Sequence, residues 1–235
     1  MRIIGLMVLL FLSGTVFAEE INVLSGGAAK SFIDPLAASF SPHSVKIEYQ
    51  PMGRLTKMLA EGAVVDMIVV TSEVAENLRL QGKPIARVGI GVAVNEKAPS
   101  PDISTPEALK RTLLAAKSVV YIDPKTGTSG KHVFEMIKKL NIENEMQPKT
   151  HLGQGGYVTE PVGRGEIELG IHQISEILPV KGVKLVGPLP PALQKYTVYV
   201  AVNLKDKPSV AEFISYLGGP QAQARLAQAG YTSPE

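Results

Sequence analysis

Cysteine is absent from this sequence. That excludes disulfides, thiolate metal sites and a cysteine nucleophile, and it removes the residue that would carry a lipid anchor on an exported chain. An excess of one charge is lacking too, because 24 Lys and Arg stand against 22 Asp and Glu. A nucleic-acid partner requires a strongly basic face, so none is expected. There is no repeat and no low-complexity segment, which leaves an adhesin or structural role unsupported. The four histidines show no HxxxH or histidine–carboxylate spacing of a metal site, so no metal is expected. A GxSxG elbow is missing. The stretch Thr126-Gly127-Thr128-Ser129-Gly130 lacks the Gly-Lys-Ser/Thr ending of a nucleotide loop.

One apolar run stands out. Arg2 precedes Ile3 to Leu12, and Val16-Phe17-Ala18 places small residues where a signal peptidase reads. The run falls short of the about 20 residues that a membrane-spanning helix needs, and no second run follows. Residues 1–18 are therefore read as a secretory signal cleaved after Ala18. The mature chain is expected to diffuse freely in a Gram-negative periplasm, as a monomer and not anchored to the membrane.

Beyond the signal, short apolar runs alternate with helical patterns. Strands are expected at Ile21 to Leu24, Val45 to Tyr49, Asp66 to Val70, Val88 to Val94 and Val119 to Ile122. Helices are expected at Ala28 to Phe40, Arg54 to Glu61, Glu73 to Gln81, Thr105 to Ala116 and Lys131 to Leu140. This alternation defines an α/β chain built on mainly parallel sheets. In such sheets ligands sit beyond the carboxyl ends of strands, at loops that open into helices. Three loops fit: Ser25-Gly26-Gly27, Pro51-Met52-Gly53 and Thr126 to Gly130. Free N–H groups and partial positive charge at helix N-termini attract anions there.

The pieces INVLSGGAAKSF, LAEGAVVDMIVVTSE, ARVGIGVAVN, YIDPKTGTSGKHVFEMI and VGRGEIELGIHQISEI occur in an order that resembles the molybdate-binding proteins of ABC importers. Those are type II periplasmic binding proteins. The resemblance runs from Ile21 to about Gly230 and implies two α/β lobes around a ligand cleft, joined by two crossover strands. Here these would be Ala86 to Val94 and Thr197 to Asn203, with residues 19–90 plus 200–235 as lobe one and 91–199 as lobe two. Helices Ser209 to Leu217 and Pro220 to Ala229 would pack back onto lobe one. Two serines that hold the oxyanion in that family correspond to Ala28 and Gly53, and its second-lobe tyrosine corresponds to Gln173. The ligand chemistry has therefore changed, and an organic di- or tricarboxylate is expected in place of molybdate.

The expected ligand contacts are Ser25, Gly26, Gly27, Ala28, Gly53 and Arg54 from lobe one, and Ser129, Gly130, Gly155, His172 and Gln173 from lobe two. Arg54 would begin a helix at the cleft, where a guanidinium suits a carboxylate. Lys30 and Lys131 hold similar first-turn positions but read as solvated, and Arg87 as paired within the fold. His43 and His151 read as surface residues. His172 ends the apolar strand Leu169-Gly170-Ile171 at the expected cleft, where it could donate to an anion or move a proton. Tyr121, Tyr157, Tyr196 and Tyr199 are candidates for aromatic walls.

Two functions follow. The first is delivery of a small anion to an ABC permease. The second rests on ARVGIGVAV, YIDPKTGTSG, GIHQISEILPV and LVGPLPPALQKYTVY, which resemble the branch of the family that includes periplasmic aconitate isomerase. That implies a proton-shift enzyme on the same scaffold, with His172 as base and no cofactor.

Overall fold

The computed structural model describes residues 18–234, so the expected signal, apart from Ala18, lies outside the described residues. In chain order the first elements are β1 (Glu20–Gly26), α1 (Lys30–Ala37), β2 (Ser44–Gln50), α2 (Met52–Ala60), β3 (Met67–Thr71), α3 (Ser72–Asn77) and β4 (Lys83–Val88). The middle of the chain holds β5 (Ile90–Asn95), α4 (Pro106–Ala115), β6 (Val119–Ile122), α5 (Thr128–Lys139), α6 (Glu143–Met146) and β7 (Thr150–Gly153). It continues with α7 (Glu160–Gly163), β8 (Leu169–Gln173), α8 (Ile174–Ile177) and β9 (Val183–Pro188). The chain closes with β10 (Thr197–Asn203), α9 (Pro208–Leu217) and α10 (Pro220–Leu226). No helix among the described residues is long and apolar enough to cross a membrane.

Two five-stranded sheets result, ordered β2-β1-β3-β10-β4 and β7-β6-β8-β5-β9. In the first, β1 runs parallel to β2 and β3, with Val23 opposite Ile47 and Met67, while β10 runs antiparallel to both of its neighbours. In the second, β6 runs parallel to β7 and β8, and β5 is the reversed strand. Each sheet thus has one strand running against four.

Burial explains the sheets. Along β3, Met67 and Val69 enter one apolar cluster while Ile68 and Val70 enter another. Along β6, Val119 and Tyr121 face one cluster while Val120 and Ile122 face the next. Alternate side chains point to opposite faces, so a run apolar at every position belongs in a sheet covered on both sides. Fully burying one such side chain contributes about 1.5–3 kcal/mol.

The chain passes between the sheets twice. The run from Lys83 to Asn95 breaks at Gly89, with β4 in the first sheet and β5 in the second. It returns through residues 189–196. Thr197–Asn203, anticipated as the second crossing, lies wholly in the first sheet, where it pairs with β3 and β4.

Candidate functional site

The cavity lies where the carboxyl ends of strands from the two sheets face each other, as expected for such sheets. It has a volume of about 330 Å³. Gly27, Ala28 and Lys30 line it from between β1 and the start of α1, and Tyr49 and Met52 from the end of β2 and the start of α2. Ser129, Gly155, Tyr157, His172 and Glu176 line it from the second sheet, with Tyr199 of β10 beside them.

His172 is the chemical centre of this wall. β8 is the middle strand of its sheet, and its apolar Leu169-Gly170-Ile171 anchors the strand so that His172 and Gln173 emerge at its end. The chain then turns directly into α8, which brings Glu176 back over the imidazole. His172 Nε2 lies 2.9 Å from Glu176 Oε2, with side-chain exposures of 1% and 12%. The same nitrogen is 3.2 Å from the Gly156 carbonyl, and Nδ1 is 3.3 Å from Ser129 Oγ. Two oxygen acceptors at Nε2 assign its hydrogen to that nitrogen, so in the neutral ring Nδ1 carries the lone pair and accepts from Ser129. Glu176, His172 and Ser129 thereby form one hydrogen-bonded chain along the cavity wall.

Two glycine features shape this wall. Gly155 and Gly156 take φ of 141° and 66°, a region that glycine enters without strain, and so turn the Gly156 carbonyl onto His172. Gly130 serves packing: a Cβ there would lie 2.1 Å from the Ile122 carbonyl oxygen, so only glycine lets α5 start against the end of β6. The α5 N-terminus has no side-chain cap, and Gly127, Thr128 and Ser129 present it to the cavity.

The remaining polar groups are largely committed. Gln173 donates to Thr197 Oγ1 at 2.9 Å and accepts from the Tyr199 hydroxyl at 3.1 Å. Burial pushes the Tyr199 phenol well above its ordinary value, so it remains a neutral donor. Tyr49 donates to Asp34 at 2.6 Å and is likewise pushed up by burial and by that carboxylate. Tyr231 donates to the Ala28 carbonyl. Thr71 caps α3 by accepting from Val74 N at 3.3 Å.

Of the residues expected at the site, Gly27, Ala28, Ser129, Gly155, His172 and Gln173 line the cavity, while Ser25, Gly26, Gly53, Arg54 and Gly130 do not. Ser25 is fully buried, and its hydroxyl donates to the Gly26 carbonyl at 3.2 Å. Gly26 is covered by Met52, whose Cε would lie 2.1 Å from an added Cβ. Gly53 and Arg54 sit on the exposed side of α2, which begins at Met52. Arg54 there meets Glu61 at 3.9 Å. His43 is buried, with Nε2 at 3.5 Å from Glu212, contrary to a surface reading, whereas His151 is exposed. Tyr121 belongs to the second sheet's core, and Tyr196 lies under the Arg87 guanidinium at 4.8 Å. Sequence reasoning passed over Glu176, whose signal was its position four residues after His172, and set aside Lys30, which lines the cavity. Among the described residues no group of three or more His, Asp or Glu gathers to hold a metal ion.

Two α/β layers with a cleft between them define a two-lobed periplasmic binding protein fold. Solved structures agree. The substrate-binding domain of a putative molybdenum ABC transporter from Clostridium difficile matches with a TM-score of 0.73 at 16% identity, over 93% of this chain and 100% of that one. The Azotobacter vinelandii periplasmic molybdate-binding protein matches with a TM-score of 0.70 at 16% identity, over 92% and 100%. The chain belongs to the bacterial extracellular solute-binding protein family, whose pattern matches residues 21–232. It is also 30% identical over 176 residues to an aconitate isomerase from Pseudomonas sp, across 74% of this chain. The aligned segment spans 65% of that relative's length.

Proposed function

We propose that the cleft takes a small di- or tricarboxylate and shifts one of its protons without a cofactor, as in the interconversion of trans- and cis-aconitate. The buried His172–Glu176 pair carries this reading. A carboxylate in the wall of an anion site opposes anion binding, so a pure binder gains nothing from Glu176 there. A proton-transfer enzyme does gain, because the carboxylate orients the imidazole and stabilises the imidazolium when it forms. The similarity to an aconitate isomerase supports the same chemistry.

The step balances without a redox partner. Once the Ser129 hydroxyl turns from Nδ1 to the ligand, the freed Nδ1 lone pair of His172 takes a proton from the methylene carbon next to the double bond, and the C–H electron pair delocalises over the allylic system toward a carboxylate. The double bond moves, and the imidazolium returns the proton to the far allylic carbon. The uncapped start of α5, with the Thr128 hydroxyl and the Ser129 hydroxyl once it has left Nδ1, supports the carboxylate on which charge develops.

The family and the fold favour a second reading, in which the same ligand is only bound and delivered to an ABC permease. Either reading has a monomeric mature chain in the periplasm after cleavage at Ala18. Incubation of the purified mature protein with trans-aconitate, followed by NMR, separates the two. Catalytic appearance of cis-aconitate is the expected result. Saturable binding that returns the ligand unchanged would establish the carrier reading instead.

A further inference from the structure

We propose that Lys30 selects the ligand's second carboxylate, so that the lobe-one wall distinguishes polycarboxylates from monocarboxylates; this rests on the polycarboxylate reading above. Among the described residues lining the cavity, Lys30 is the one with a fixed positive charge, and Glu176 is the one carboxylate. Lys131, at the first turn of α5, is already engaged, with Nζ 2.9 Å from Glu73. Lys30 forms no ion pair among the described residues. Its ammonium stands 5.6 Å from the centre of the Tyr49 ring, an arrangement in which the ring face attracts a cation. The Tyr49 hydroxyl is committed to Asp34, which holds the ring in place and occupies the nearby carboxylate.

The cavity therefore has two positive ends and a negative patch. One end is the Lys30 ammonium at the start of α1, and the other is the uncapped start of α5 on the opposite lobe. Glu176 lies in the wall with His172 and repels any carboxylate placed against it. A ligand with one carboxylate at each end avoids that repulsion and presents its carbon skeleton to His172. Arg54, the guanidinium expected to do this work, points away on α2, which leaves Lys30 as the side chain placed for it.

Calorimetry of wild type, Lys30→Met and Lys30→Arg with propane-1,2,3-tricarboxylate, succinate and butyrate at fixed ionic strength tests the assignment. Lys30 is exposed, so both variants are expected to fold, and thermal melts check this directly. Lys30→Met should lose tenfold or more in tricarboxylate affinity, the loss expected for a charge-assisted hydrogen bond. The tricarboxylate-to-butyrate affinity ratio should shrink by a similar factor, and Lys30→Arg should restore most of it. An unchanged ratio in Lys30→Met overturns the role of Lys30 while leaving the polycarboxylate reading intact. A wild type that binds neither the tricarboxylate nor succinate overturns that reading and this inference together.

Discussion

The wall that the first sheet contributes to the cavity offers one ammonium, Lys30, and the Tyr49 phenol, which burial keeps neutral. The wall from the second sheet offers a histidine, a carboxylate and a serine in one hydrogen-bonded chain, at the foot of an uncapped helix. Both walls arise the same way, from loops at the carboxyl ends of parallel strands. They differ in what those loops hold in place. The first wall can attract and select an anion, but it carries no group ordered for proton transfer. The second wall can move a proton, at the cost of a negative charge beside an anion. On the proposed function, selection would reside in lobe one and chemistry in lobe two.

The largest effect should come from removing the base. His172→Gln should lower turnover by about 100- to 10,000-fold while retaining much of the ligand affinity, since general acid–base catalysis contributes that much. Steady-state rates beside calorimetric affinities read the split, and full turnover in the variant would move the base elsewhere. Glu176→Gln comes next. It keeps the shape but removes the charge that orients the ring and stabilises the imidazolium, so turnover should fall, though less than on loss of the base itself. Its affinity for tricarboxylate should rise, because a like charge leaves the wall. A lower affinity together with unchanged turnover would place Glu176 among the ligand contacts instead.

A third change should leave lobe-two chemistry alone and weaken lobe one. Asp66 accepts from Asn22 N at 2.8 Å and pairs with Lys207 at 2.7 Å. Burial raises its carboxyl, but the Asn22 N–H and the Lys207 ammonium outweigh that and hold it below its ordinary value. Asp66→Ala should cost about 1.5–3 kcal/mol at neutral pH, measured by urea unfolding. A depressed folded-state pKa contributes stability that is present above the unfolded value and lost as pH falls through the folded one. The difference between wild type and variant should therefore narrow below about pH 4.

The smallest effect tests how the walls meet. Lys131 of α5 and Glu73 of α3 join across the two lobes at 2.9 Å, with both side chains half exposed. Glu73→Gln should weaken ligand affinity by about 0.2–1 kcal/mol, and less at high salt, as for other exposed pairs. An effect insensitive to salt would mean that the pair does more than bridge the rim.

Much of the fold was legible because its strands are apolar at every position. Met67 to Val70 and Val119 to Ile122 have no polar side to show, and that pattern requires a covered sheet. The edge strands of the second sheet were harder to see. Thr150–Gly153 and Val183–Pro188 are partly exposed and carry polar residues, so they lack that signal. At the site the loops were legible and the directions were not. Arg54 lies on the exposed side of α2, 3.9 Å from Glu61, because the face of a helix that a residue occupies is set by the packing of Leu55 beneath it. Gly130 marks the right loop for a different reason, a packing limit set by Ile122 that appears only once strand and helix are placed. Glu176 was missed because its pairing with His172 spans an element boundary, strand on one side and helix on the other.

Solvent deuterium tests the central claim most directly. Wild-type protein incubated with trans-aconitate in deuterated buffer should release cis-aconitate, with deuterium at the reprotonated carbon whenever the imidazolium exchanges before returning its proton. Loss of both product and label in His172→Gln, with tricarboxylate binding retained, is the predicted result. Wild-type protein that binds trans-aconitate tightly and returns it unconverted and unlabelled would contradict the account.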